Sequence, residues 1–188
     1  MNLKYKIEFH TDWHCGSGLA AGADVDALVV KDQNGMPFIP GKTVKGLIRE
    51  AVEEVRFFKK AVEKASLLDA FGFFDDKEEK QKGTMFFTNA ELDEEEYKAI
   101  VAAKASRFLY RKISSTAIDK DGIAKDHSLR KTETVVPCTL FGTIYDVPES
   151  LTQEIVEAMG FIKRMGQNRN RGLGRCTVSA INEERRHA

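Results

Sequence analysis

A glycine and three cations come together at the start of a predicted helix. Gly41 is followed by Lys42, Lys45 and Arg49. A glycine at a helix start lets the backbone approach a ligand closely, and the first amide N–H groups of a helix point outward without partners. With the cations around them, these amides form a candidate anion site, for which the phosphate of a nucleotide or nucleic acid is the obvious ligand. The alternative is that the cations are the solvated side of an amphipathic helix.

A second basic loop lies near the C-terminus. It reads GQNRNRGLGRCTVSAI and carries Arg169, Arg171 and Arg175. Guanidinium groups grip phosphate oxygens in a planar fork, so this loop and the first helix start together predict a groove for an RNA backbone. The P-loop pattern G-x-x-x-x-G-K-[ST] is absent, and Gly172-Leu173-Gly174 precedes a strand, which excludes a Rossmann fingerprint.

Two carboxylates, Asp24 and Asp26, follow a stretch of small residues and glycines. Side chains two residues apart on an extended segment point the same way, and a strand end beside a glycine-rich loop is a common place for functional groups. The alternative is a pair of solvated aspartates at a strand edge.

Length and composition are those of a soluble globular protein. The 188 residues are enough for one domain, residues 1–188, and too few for two. Lys+Arg and Asp+Glu both number 29, which argues against nonspecific coating of nucleic acid. Neither a membrane-spanning apolar run nor a secretion leader is evident, and the three cysteines lie too far apart for a zinc site. A cytoplasmic protein is therefore expected.

The elements that must position these residues follow from hydrophobic periodicity. Apolar alternation predicts a strand over Leu3–Thr11. Helical spacing predicts one helix from Gly41 to about Lys64, with Phe57, Phe58 and Val62 against the core, and another from Pro148 to Gly166. A tight turn at Asn34-Gly35 is predicted between two strands, the second of them short and running into Pro40-Gly41. The other predicted elements are strands at Gly83–Ala90, Thr139–Asp146 and Cys176–Ile181, and a short helix at Glu94–Ala103. This order predicts an α+β fold with a ferredoxin-like or RRM-type antiparallel sheet and two helices.

The stretch Ile113–Pro137 differs from the rest of the chain. It is polar and weakly alternating, with turn signals at Asp121-Gly122 and Asp126-His127. This pattern predicts a protruding β-hairpin arm. Because the arm has little apolar material of its own, we expect it to pack on a partner; the alternative is a mobile surface loop.

Five segments carry a family resemblance. They are PFIPGKTVKGLIRE, SLLDAFGFF with GTMFFTNAEL, ISSTAIDKDGIAKDHSLRKTETVVP, and NRGLGRCTV, and in this order they cover nearly the whole chain. Together they resemble the RAMP superfamily, and within it the backbone subunit of type III CRISPR effector complexes.

The resemblance implies partners and an activity. In that family several copies of the subunit stack along a CRISPR guide RNA, together with other effector-complex subunits. A β-hairpin thumb interrupts the duplex with complementary target RNA at regular intervals. An aspartate in the loop after the first strand cleaves the target there with a divalent metal, for which Mg²⁺ held weakly with RNA phosphates is expected.

Position by position, the resemblance assigns the catalytic and metal-binding aspartate to Asp26, with Asp24 second. The thumb corresponds to Ile113–Val136. The expected RNA-binding residues are Lys42, Thr43, Lys45 and Arg49 at the first helix, Arg169, Arg171 and Arg175 in the last loop, and Lys125, His127 and Arg130 in the thumb.

Three hypotheses follow. The first is a guide-binding backbone subunit with metal-dependent target cleavage through Asp26. The second is a structural RNA-binding subunit without cleavage. The third is a metal-independent ribonuclease that processes CRISPR RNA through His14, because RAMP relatives use histidine as a general acid or base.

Overall fold

Two helices pack on a four-stranded antiparallel sheet. The computed structural model describes residues 1–22, 24–59, 65–73 and 81–181. In chain order its strands and helices are β1 (Leu3–Phe9), α1 (Gly41–Lys59), α2 (Ala65–Phe71), β2 (Gly72–Phe73), β3 (Gln81–Lys82), β4 (Phe86–Phe87), α3 (Glu94–Ala102), β5 (Tyr110–Ser115), β6 (Arg130–Val135), β7 (Thr139–Tyr145), α4 (Glu149–Met159) and β8 (Cys176–Ala180).

The main sheet has the strand order β4-β7-β1-β8, with antiparallel pairing throughout. The path β1-α1-β4-β7-α4-β8 is the ferredoxin-like β-α-β-β-α-β arrangement, which confirms the predicted fold class. Strands β2 and β3 form a separate short pair, and β5 and β6 form the predicted hairpin arm. Among the described residues, no helix is long and apolar enough to cross a membrane.

The core forms where the apolar faces of β1 and the two long helices meet. Leu3, Tyr5, Ile7 and Phe9 alternate with more exposed neighbours along β1, as the side-chain period of a strand requires. Helix α1 buries Val44, Ile48, Ala51, Val52 and Val55. Near the C-terminal end of α1, Arg56 donates two hydrogen bonds, of 2.7 and 2.9 Å, to the carboxylate of Glu154 in α4. This bidentate pair fixes the two helices side by side.

The end of the first helix differs from the prediction. Phe57 and Phe58 are 80% and 68% exposed and do not pack on the core. Phe57 follows the buried Val55 by two positions, about 200° around the helix, which turns it to solvent. The Phe58 ring instead meets the Phe57 ring edge to face at 5.9 Å. Val62 and the predicted end at Lys64 lie outside the described residues.

Helix α4 ends at Met159, and its predicted continuation to Gly166 is wrong. The N–H groups of Gly160, Phe161 and Ile162 each bond to the carbonyl three residues back. Such 3₁₀-type bonds tighten and terminate the last turn of a helix. The chain then turns toward the glycine-rich loop that enters β8.

Between β1 and α1 the predicted turn is present, but the strands around it are not regular. The N–H of Asp32 bonds to the carbonyl of Met36 at 2.9 Å, and Gly35 has a φ of +76°. Only isolated bridges, Lys31 with Pro37 and Ile39 with Ala90, flank this turn. The predicted strand Gly83–Ala90 likewise contracts to the two residues of β4.

Candidate nucleic-acid interface

The loop between β1 and α1 is hydrogen-bonded to the edge of β6 that faces away from β5. Trp13 exchanges backbone hydrogen bonds with Val135, at 3.0 and 2.8 Å. Further along, the N–H of Asp26 bonds to the carbonyl of Lys131, and the N–H of Glu133 to the carbonyl of Ala27. Trp13 runs antiparallel and Ala27 parallel to β6, so two segments of the loop line this edge. Asp24 and Asp26 lie beside Lys131, near the outer end of the β5–β6 ladder.

Asp26 is exposed and fixed in place through one of its two oxygens. Its Oδ2 accepts a hydrogen bond from the backbone N–H of Lys131 at 2.7 Å. The carboxylate is thereby held at the junction of loop and hairpin, at the protein surface.

Asp24 is already paired with cations. Its Oδ2 lies 2.6 Å from Nζ of Lys112, and its Oδ1 lies 4.0 Å from Nζ of Lys131. The hydrogen bond from Lys112, reinforced by the charge of that ammonium group, lowers the pKa of Asp24. Lys112 and Lys131 were missed by the sequence reasoning. Once the hairpin register is known, both fall on the same face of the arm, because Lys131 lies opposite Ser114, two residues from Lys112.

The two aspartates offer a sparse donor set for a metal ion. Nowhere in the described ranges do three or more His, Cys, Asp or Glu residues come together in a position to hold one. Lys112 competes with any cation at Asp24, so Asp26 is the better ligand. Because Mg²⁺ takes six oxygen ligands and keeps several waters, one carboxylate fits an ion that draws its other ligands from water and RNA phosphates.

A buried polar network supports this junction from beneath. Glu133 is only 9% exposed. Its Oε2 accepts the N–H of Val29 at 3.0 Å, and its Oε1 pairs with Nζ of Lys31 at 2.8 Å. Nζ of Lys31 also lies 3.8 Å from the centre of the Tyr110 ring. A satisfied buried carboxylate of this kind holds loop and hairpin in one arrangement.

His14 belongs to the same buried layer. It is 1% exposed, and its Nδ1 donates to the carbonyl of Glu133 at 2.6 Å. A side chain at this depth cannot touch an RNA, so the structure contradicts the hypothesis of a ribonuclease that works through His14. The buried ring instead ties the loop to β6.

The cations of α1 occupy different environments. Lys42 is exposed and lines an open groove with Phe86 and Asn89. Lys45 is half-buried, and this burial, with the nearby charge of Arg49, lowers its pKa. Arg49 pairs with Glu53 at 2.9 Å and donates to the carbonyl of Gly72 at 3.1 Å. Thr43 is half-buried, and its backbone N–H donates a hydrogen bond to the carbonyl of Pro40.

The glycine-rich loop is attached to the loop after β1. The N–H of Gly174 bonds to the carbonyl of Asp12, and the N–H of Arg175 to Oγ1 of Thr11. Gly174 has a φ of +68°, and a Cβ at this position would lie 1.8 Å from the carbonyl oxygen of Met165. Only glycine fits such a close approach.

The three arginines of this loop are exposed. Arg169 lines a pocket with Glu50 and Glu54 of α1, whereas Lys42 lines a separate groove. Arg169 and Lys42 thus line two different cavities. The N–H of Arg175 bonds to the segment after β1, whereas the N–H of Arg171 bonds within the loop to the carbonyl of Asn168.

The tip of the hairpin is open to solvent. Lys125, His127 and Arg130 are all exposed. His127 has a φ of +56°, and Oγ of Ser128 closes the turn by a 2.7 Å bond to the carbonyl of Lys125. Ile118, Ile123 and Leu129 are more than half exposed on the same tip. Exposed apolar side chains beside cations are typical of a surface that contacts a partner.

Comparison with known proteins identifies the family. The family model described as the RAMP superfamily matches residues 6–177. A chain of the cryo-EM structure of the Type III-B Cmr-beta bound to cognate target RNA aligns with a TM-score of 0.69 and 10% identity, covering 96% of this chain and 97% of that one. A chain of the Type III-B Cmr-beta in the apo state aligns with a TM-score of 0.70 and 12% identity, covering 97% and 98%. A search of curated proteins found no match. At these identities the structural likeness establishes a shared fold, and the match to the family model over most of its length means that the chain belongs to the RAMP superfamily.

Proposed function

We propose that this chain is a CRISPR RNA-binding backbone subunit of a type III interference complex that cleaves complementary target RNA. Its partners are the guide RNA, the target RNA, further copies of itself stacked along the guide, and other effector-complex subunits in the cytoplasm. The observation that carries the proposal is the position of Asp26, whose exposed carboxylate is fixed near the outer end of the β5–β6 ladder by the N–H of Lys131. A fixed carboxylate beside a protruding arm suits cleavage of an RNA that the arm has distorted.

The residues around Asp26 have complementary roles in this proposal. Lys112 and Lys131 place positive charge beside Asp24, two residues from Asp26, where a phosphate of the target would lie. Exposed ion pairs contribute little stability, so the Lys112 ammonium group can exchange Asp24 for a phosphate at little cost. Asp26 would hold a divalent ion, which when bound polarises the scissile phosphate and favours deprotonation of the attacking 2′-hydroxyl.

A structural RNA-binding subunit without cleavage is the second candidate. It is favoured by the fact that both aspartates already have partners within the chain, Lys131 for Asp26 and Lys112 for Asp24. In that case the carboxylates would serve to attach the loop to the hairpin. Replacing Asp26 distinguishes the two candidates, because only the cleaving subunit requires the charge of its carboxylate.

RNA binding itself is tested with the purified full chain and a labelled guide RNA across a series of salt concentrations. Replacing Lys42 and Lys45 with Gln removes two phosphate-binding charges, so the slope of log K against log salt should become shallower by about 1.4 for a single-stranded RNA. Lys98 is the control because it is an exposed lysine on a different helix, paired with Glu94 on α3, so Lys98→Gln should leave the slope unchanged. Equal slopes for the wild type and the double variant would contradict the assignment of Lys42 and Lys45.

A further inference from the structure

The edge strand β4 presents an exposed aromatic pair. Phe86 is 63% exposed, whereas its neighbour Phe87 is buried, so the alternation of the strand turns Phe86 to the outer face of the sheet. Phe86 lies opposite Tyr145 of β7. The two ring centres are 6.2 Å apart with an interplanar angle of 32°, and Tyr145 is 40% exposed. The two rings thus form one apolar platform on the surface.

Cations flank this platform on both sides. Lys42 lines the same open groove as Phe86, a groove of about 490 Å³, which is within the range of small-molecule sites. On the other side Lys4 lies opposite Thr143, two residues from Tyr145 on the outward face. Glu91 also lines the groove, and its Oε1 lies 3.5 Å from Nδ2 of Asn89.

We propose that Phe86 and Tyr145 form a stacking site for an unpaired base of single-stranded RNA, with the adjoining phosphates on Lys42 and Lys4. Aromatic rings flanked by cations are the usual construction of single-stranded nucleic acid sites, because every base has a face that can stack and every nucleotide a phosphate. This inference rests on the proposed RNA-binding function and adds a second contact surface to it.

The test uses the full chain and a short fluorescein-labelled oligouridine. Phe86→Ala and Tyr145→Ala should each raise the Kd about 5- to 150-fold, the usual range for loss of one base stack. Phe57→Ala is the matched control, because Phe57 is an even more exposed phenylalanine at the far end of α1, and it should leave the Kd unchanged. Phe86→Trp should keep the affinity, and oligouridine should quench the emission of the new indole.

The outcomes separate this inference from the proposed function. If the wild type binds oligouridine and a double variant carrying both Phe86→Ala and Tyr145→Ala binds it equally well, the stacking site is wrong and the proposed function stands. If the double variant changes the mass of the protein in solution but not its RNA affinity, the platform is a protein interface and the inference is also wrong. If the wild type binds neither guide RNA nor oligouridine, the proposed function fails as well. Thermal melting of each variant shows whether the fold is retained.

Discussion

Asp26 and Lys131 are joined by two hydrogen bonds in opposite senses. The Asp26 N–H bonds to the Lys131 carbonyl at 2.9 Å, and the Lys131 N–H bonds to Oδ2 of Asp26 at 2.7 Å. The aspartate assigned to cleavage therefore also connects the loop after β1 to the hairpin arm. Its structural and chemical roles must be separated by experiment.

Asp26→Asn separates them, because an amide oxygen can still accept the hydrogen bond but carries no charge. We expect its free energy of unfolding to stay within about 0.5 kcal/mol of the wild type, whereas Asp26→Ala should lose about 1 kcal/mol with the hydrogen bond. Urea unfolding measures both. A loss for Asp26→Asn as large as that for Asp26→Ala would mean that the charge itself stabilises the junction.

The ion pair of Asp24 predicts a pH dependence. Lys112 lowers the pKa of Asp24, so the pair contributes stability above the ordinary aspartate pKa of about 3.9 and loses it as the pH falls through the lower value of the folded state. In Lys112→Met the midpoint of the Asp24 titration should therefore move upward. NMR titration of the side-chain carboxyl carbon measures this midpoint, and Lys98→Met is the control. An unchanged midpoint in Lys112→Met would show that the pair does not persist in solution.

The buried network beneath the hairpin predicts a stability difference between two glutamates. Glu133→Gln leaves the partly buried Lys31 without its counter-charge and should cost about 1–3 kcal/mol. Glu94→Gln breaks an exposed pair with Lys98 on α3 and should cost less than about 0.5 kcal/mol. Urea denaturation compares the two. Equal small losses would mean that the Glu133 network does not hold the hairpin in place.

Two glycines of the last loop allow a steric clash to be measured apart from backbone strain. Gly172 and Gly174 both have positive φ, but a Cβ on Gly172 meets nothing within 4 Å, whereas one on Gly174 would lie 1.8 Å from the Met165 carbonyl oxygen. Gly172→Ala should cost about 1 kcal/mol from its backbone conformation alone, and Gly174→Ala should cost clearly more. Thermal melting of both variants checks this order, and similar melting temperatures would contradict the packing described.

Local patterns were sufficient to predict much of this fold. The alternation of Leu3, Tyr5, Ile7 and Phe9 and the helical spacing of Val44, Ile48 and Val55 report burial on one face, and both elements are confirmed. These signals are strong because each residue is compared only with near neighbours in the chain. The turn signals of the hairpin arm are local in the same sense.

The partners of the site residues could not be predicted, because they are distant in sequence. Asp24 meets Lys112, 88 positions away, and His14 meets Glu133, 119 positions away. Periodicity carries no information on such pairs. For the same reason the sequence around His14, with its small residues and glycines, does not distinguish a buried histidine from one at the surface.

The most direct test of the proposed function is cleavage of a labelled complementary RNA by the chain assembled with its guide RNA, with and without Mg²⁺. The wild type should give regularly spaced products that require Mg²⁺, and Asp26→Ala should bind the target but give none. Cleavage that persists after both Asp26 and Asp24 are replaced would contradict the account. Tight binding by the wild type without any products would leave a structural RNA-binding subunit.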